Sequence, residues 1–132
     1  MIGNGMNIKS MSFVGNVVAF MQYCLTNYTD GYHLFNYVDK PDLNTNQLVE
    51  LIAKSSGRKV QSIKIPYAIG YLAGLGFDLL SKITGKEFSI SSVRIKKFCS
   101  TTQFSNQQIA ATNFKPTYTL EEGLDITIKS LL

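Results

Sequence analysis

The sequence predicts an α+β fold, mostly helical, with two or three short strands. Three observations carry this. Apolar residues recur at helical spacing, as at Val14, Val17, Val18, Met21 and Leu25, the pattern of a helix with one buried face. Asn44 with Gln47, and Thr119 with Glu122, stand at the capping-box spacing that opens a helix. Runs rich in aromatic and branched residues are short, as in the stretch HLFNYV at 33–38.

Residues 1–12 read as a loop, with Gly3, Asn4, Gly5, Asn7, Ser10 and Ser12, and as the end of something rather than the start of a domain. A helix follows over residues 14–27, then a turn at Asp30-Gly31. Residues 33–38 are expected as a buried strand, ended by Asp39-Lys40-Pro41-Asp42. Asn44 then caps a helix whose inner face is Leu48, Leu51 and Ile52 and whose C-cap is Gly57.

Residues 59–65 alternate in the manner of a short strand, through Val60, Ile63 and Ile65. Pro66 suits the first turn of the next helix, where a missing N–H costs nothing. That helix carries Ile69, Leu72, Ala73, Leu75, Leu79 and Leu80 and stops near Gly85. Gly70, Gly74 and Gly76 lower its propensity and let another backbone come close. Its apolar stretch, thirteen residues from 65 to 77 without a charge, falls short of the roughly 20 needed to span a bilayer, so a buried helix is expected. A helix over residues 89–98, a strand at 101–104 and a helix capped by Ser105 with Gln108 come next. Phe114-Lys115-Pro116 breaks the chain, and the last helix turns Leu120, Leu124, Ile128 and Leu131 inward. No repeat, low-complexity segment or linker divides the chain, so its 132 residues are expected to form a single domain.

Hydrophobic residues make up 45% of the chain and charged ones 17%. The low charge suggests apolar surface that meets another domain or chain. A net charge of +4 suits an anionic partner: nucleic acid, membrane or a phosphorylated small molecule. The cations fall in two loose groups, Lys54, Arg58, Lys59 and Lys64, then Lys82, Lys86, Arg94, Lys96 and Lys97; ordinary solvated lysines are the competing reading of each. Cys24 and Cys99, without a CxxC, read as reduced thiols of a cytoplasmic protein. A single histidine, His33, argues against a His/Cys metal site. No basic region followed by an apolar run and a cleavage site opens the chain.

The catalytic motifs are absent. No GxGxxG follows a strand, and no P-loop is present. No YxxxK pair exists: Tyr37 and Lys40 are three apart, not four. By itself the chain carries no catalytic set, and no cofactor is expected to bind it alone.

Several segments, in order, resemble the extended short-chain dehydrogenase/reductase family, which includes NAD-dependent nucleotide-sugar epimerases and dehydratases of the UDP-glucose 4-epimerase type. The opening is similar to the family's segment after its Rossmann core: a glycine turn (Gly3, Gly5), a basic residue (Lys9), then aromatic-Val-x-Asn-Val (Phe13, Val14, Asn16, Val17) and a helix. The strand with Asn36, the helix behind it ending at Gly57, the Ile65-Pro66 helix start and the closing stretch from Phe88 follow the family's order. The resemblance covers nearly the whole chain and rests on the order of five weak motifs.

The resemblance implies the C-terminal, substrate-binding portion of such an enzyme, with the Rossmann core, NAD and the Tyr/Lys pair in an N-terminal half missing from this chain. Lys9 is then expected to reach the diphosphate of a nucleotide-sugar, as a point charge without the bidentate fork of arginine. Arg94 or Lys97, three apart on one helix face, is expected to supply a second cation. Asn16 is a further substrate-binding candidate, with holding local backbone as its competing role. The expected partners are the nucleotide-sugar, the missing Rossmann domain and a second copy in a homodimer, with no membrane. Two other classes compete: a small basic nucleic-acid-binding module, for which no signature motif is present, and a partner-docking domain using the glycine-bearing helix after Pro66.

Overall fold

The computed structural model describes residues 1–59 and 63–132. It is mostly helical with one two-stranded sheet. The chain folds as two units, a smaller one of Met1–Asn7 with Gln61–Thr101 and a larger one of Ile8–Val60 with Thr102–Leu132.

In the larger unit, β1 (Ile8–Met11) pairs antiparallel with β2 (Asp39–Asn44). The segment expected as a loop thus contains a strand, and the segment expected to end one is itself a strand. Pro41, which has no N–H to give a ladder, is what makes the segment read as a strand end in the sequence. Lys9 pairs with Leu43 and Met11 with Asp39, and the register irregularity between them accommodates the proline. Residues 33–38, expected as the strand, carry no regular structure. Their aromatic side chains pack instead on α1 (Val14–Asn27), where Phe20 meets Phe35 at 5.3 Å and Tyr37 at 5.2 Å between ring centroids. Phe114 closes the cluster on Phe20 at 5.1 Å.

Helix α1 covers the expected residues, but its buried face is not the expected one. Asn16 and Phe20 are buried, while Val14, Val18, Met21 and Leu25 are exposed, Leu25 by 79%. An asparagine and an aromatic ring outcompete the aliphatic stripe because a carboxylate and an aromatic cluster wait on that side.

The capping boxes form as the sequence predicts. Asn44 opens α2 (Thr45–Ser56), which ends on Gly57 in the left-handed region. Thr119 opens α6 (Leu120–Lys129) with the reciprocal Glu122 contact. Leu120 is buried, but Leu131 lies beyond the helix and is exposed. The helix expected after Ser105 is the single turn α5 (Gln107–Ala110); its N-cap position is Asn106, whose side chain makes no cap bond, while Ser105 Oγ accepts from the Gln107 N–H at 3.3 Å. The strand expected at 101–104 is reduced to one bridge, Lys9 to Thr102.

In the smaller unit, α3 (Tyr67–Thr84) packs on α4 (Ser92–Cys99). Pro66 is the N-cap of α3, and Gly85 ends the helix in the left-handed region. Of the strand expected over 59–65, residues 60–62 lie outside the described part, and Ile65 makes a bridge to Ile2. Gly74 lets the two helices touch: a Cβ there would stand 2.8 Å from the Ser92 backbone. A Cβ on Gly70 would stand 2.6 Å from Ile2. The glycines therefore face the packing, and the large apolar side chains expected inside face out: Ile69, Leu72, Leu75, Leu79 and Leu80 are all exposed. Helix α4 starts three residues later than expected, where Ser91 accepts from the Arg94 N–H and the Asp78 carboxylate accepts from the Ser92 N–H.

Candidate functional site

Each expected site residue has a definite place. Lys9 lies half-buried on β1, and its Nζ donates to Thr102 Oγ1 at 3.4 Å. The backbone there is fixed on both sides, since Ser10 N–H donates to the Thr102 carbonyl and Thr102 N–H to that of Ile8. Beside it, Ser10 Oγ donates to Asp42 at 2.8 Å, and Lys40 reaches the same carboxyl group at 2.7 Å and the Phe104 carbonyl at 2.9 Å. Burial works to raise the Asp42 pKa, but hydrogen bonds from Lys40, Ser10 and Gln103, with the Lys40 charge, outweigh it and hold the group below its usual value.

Asn16 has no exposed surface, and its amide is fully engaged within the protein. Its Nδ2 donates to Asp39 Oδ1 at 3.0 Å and to the Tyr118 carbonyl at 2.8 Å, while its Oδ1 accepts from the Tyr118 N–H at 3.0 Å. Asp39, itself buried, also accepts from the Phe13 N–H and the Tyr37 hydroxyl. The geometry at Asn16 is that of a residue holding local backbone.

Tyr37 and Lys40 form no proton-transfer couple. The Tyr37 hydroxyl donates to Asp39, and Lys40 pairs with Asp42. Burial, followed by the hydrogen bond and charge of Asp39, pushes the Tyr37 pKa well above its usual value, the opposite of what a proton-transferring tyrosine needs.

Arg94 and Lys97 share α4 in the smaller unit, and both are exposed. Arg94 Nη1 donates to the Ser89 carbonyl at 2.9 Å, and the side chain borders a cavity of about 200 Å³ beside Phe77 and Phe88. Thus Lys9 and Asn16 belong to one unit, and Arg94 and Lys97 to the other.

The largest described cavity of the smaller unit, about 730 Å³, involves two lysines that sequence reasoning had placed only in loose charge groups, Lys64 and Lys96. Asn4, Tyr67, Cys99 and Ser100 also line it, and no lining residue is acidic. Lys64 and Lys96 are far apart in sequence, so no spacing rule signals that they share a wall. The larger unit has a cavity of about 680 Å³ between α1 and residues 31–37, walled by Phe20, Met21, Tyr28, His33 and Phe35. The first suits an anion and the second an apolar group.

A dinucleotide needs a strand that passes into a helix through a glycine turn. Among the described residues two strands pass into helices, β1 into α1 through Ser12 and Phe13 and β2 into α2 at Asn44, and neither passage contains a glycine. These residues do not fit NAD. Nor do any three His, Cys, Asp or Glu among the described residues group in a way that could hold a metal ion.

No family model matches the sequence. A curated protein does: the chain is 52% identical over 129 residues to an Escherichia coli O157:H7 protein named N-acetyl-alpha-D-glucosaminyl-diphospho-ditrans,octacis-undecaprenol 4-epimerase. This chain is similar to part of a sugar epimerase. The match takes in 98% of this chain, hence both units, and the chain spans 39% of the length of that relative. Among the described residues no helix is long and apolar enough to cross a membrane.

Proposed function

We propose that this chain is the substrate-binding part of an NAD-dependent sugar epimerase of the extended short-chain dehydrogenase/reductase type. The whole protein would invert C4 of an N-acetylhexosamine joined to a diphosphate. The observation that carries this reading is 52% identity, along 98% of the chain, to a protein named for that reaction. NAD and the proton-transferring residues would come from polypeptide outside this chain, in keeping with the poor fit of the described residues to a dinucleotide.

In this reading Lys64 and Lys96 answer the diphosphate charge at the cavity of the smaller unit. Arg94 and Lys97 are further cations of the same unit for the phosphates or the sugar; in the larger unit Lys9 is a separate candidate cation, and Asn16 sets the framework behind β2 through Asp39. The diphosphate is the shared chemistry of two carriers, a nucleotide and a polyprenol. Holding it by charge-assisted contacts fixes where the sugar stands, which is how a binding part contributes to rate.

Titration of the full-length protein with UDP-N-acetylglucosamine, a short-chain polyprenyl-diphospho-N-acetylglucosamine and free N-acetylglucosamine tests this. One of the two diphosphates should bind at least ten times more tightly than the free sugar, and which one does so identifies the carrier. Lys64→Ala and Lys96→Ala should each weaken that ligand about ten-fold. Equal binding of all three ligands, or lysine variants without effect, would overturn the proposal.

A further inference from the structure

The net charge of the chain is not shared between its units. The smaller unit has six cations (Lys64, Lys82, Lys86, Arg94, Lys96, Lys97) against two anions (Asp78, Glu87), which accounts for the whole excess of +4. The larger unit is balanced.

The same unit exposes the apolar side of its longest helix. Ile69, Leu72, Leu79, Leu80 and Ile83 recur at a spacing that puts them on one face of α3, and Leu72 is 66% and Ile83 73% exposed. The opposite face is the one with Gly70 and Gly74, against Ile2 and Ser92. At 1.5 Å per residue the apolar row is about 20 Å long. Lys82 stands in its last turn and Lys86 just past Gly85. A soluble helix turns its apolar side inward; this one turns two glycines inward and its leucines outward.

We propose that the outward face of α3 lies on a bilayer surface containing anionic lipid, with Leu72, Leu79 and Ile83 among the acyl chains and Lys82 and Lys86 at the headgroups. An apolar helix face flanked by cations is the composition of a helix that lies in the interface plane. The expectation of no membrane contact rested on the length needed to span, and lying on a surface needs no such length. Charge favours a leaflet over a second copy. A second copy would bring the same positive excess against this one, whereas an anionic leaflet complements it.

The test needs no substrate, so it stands or falls independently of the function proposed above. The chain contains no tryptophan, so Leu72→Trp places a reporter on the face. Leu25→Trp, on the exposed side of α1, places one elsewhere. Each is read in the full-length protein as the difference from the unsubstituted protein. Vesicles of phosphatidylcholine with phosphatidylglycerol should shift Leu72→Trp emission to the blue and leave Leu25→Trp unchanged; phosphatidylcholine alone should do much less. In the protein without tryptophan reporters, Leu79→Ser should lower the vesicle-bound fraction in flotation about ten-fold. Lys82→Gln and Lys86→Gln should lower it about five-fold each. A Leu72→Trp signal already blue and indifferent to vesicles would overturn the proposal by showing the face covered by other polypeptide. A shift that follows protein concentration and not lipid would overturn it in favour of a second copy.

Discussion

The Asn16 amide donates to the Asp39 carboxylate at 3.0 Å in a place where Asn16 has no exposed surface. That contact ties the first turn of α1 to the start of β2. With the Phe13 N–H on the other carboxylate oxygen and Tyr118 on both ends of the amide, it fixes three segments distant in sequence. Asn16→Ala leaves the Tyr118 backbone groups and one carboxylate oxygen short of partners, at a cost of about 3 kcal/mol. Chemical denaturation should show a lower midpoint with an unchanged slope.

Tyr37 gives an alkaline signature. Its folded pKa is raised above the unfolded value of about 10. The neutral phenol is therefore favoured in the fold, and that stability is fully present below pH about 10 and lost as pH rises through the folded value. Tyr37→Phe should be less stable at neutral pH, and the gap to the native protein should narrow above pH 10. Melting temperatures between pH 7 and 11 measure it; a gap that stays constant would contradict the contact.

Asp42 gives the acid counterpart. Its folded pKa is lowered despite burial, by Lys40, Ser10 and Gln103. The stability it contributes is present above the unfolded value of about 4 and disappears as pH falls through the folded value. Asp42→Asn should destabilise at pH 7, and the difference should close between pH 4 and lower values.

The glycines of α3 make a matched pair. A Cβ on Gly74 meets the Ser92 backbone at 2.8 Å, whereas one on Gly76 meets nothing within 4 Å. Gly76→Ala should stabilise by up to about 1 kcal/mol through helix propensity. Gly74→Ala should destabilise by about 1–3 kcal/mol, because α4 must move away. Thermal melts of the two variants should shift in opposite directions.

Local chemistry was legible in the sequence, and side-facing was not. The boxes at Asn44 and Thr119, the stops at Gly57 and Gly85 and the close approach at Gly70 and Gly74 depend on neighbours within a turn or on a missing Cβ, which the sequence displays. The inner face of α1 depends on Asp39 and Phe114, distant residues that reward burying Asn16 and Phe20 over Val14 and Leu25. Residues 33–38 have the composition of a strand, but their rings pack on α1 while the ladder goes to residues 39–44. The resemblance names Lys9, Arg94 and Lys97 as candidates, and the fold puts Lys9 in one unit and Arg94 and Lys97 in the other. Lys64 and Lys96 are not named by it, because only the fold brings them to one cavity.

The central claim is that the whole protein is an epimerase whose substrate part is this chain. The most direct measurement is incubation of the full-length protein with N-acetylglucosaminyl diphosphate substrates on nucleotide and polyprenyl carriers, with release and chromatography of the sugar. The account predicts a mixture of N-acetylglucosamine and its C4 epimer from one of the carriers, reached from either side, and formed more slowly by Lys64→Ala and Lys96→Ala. Unchanged sugar from both carriers, with NAD supplied, would contradict it.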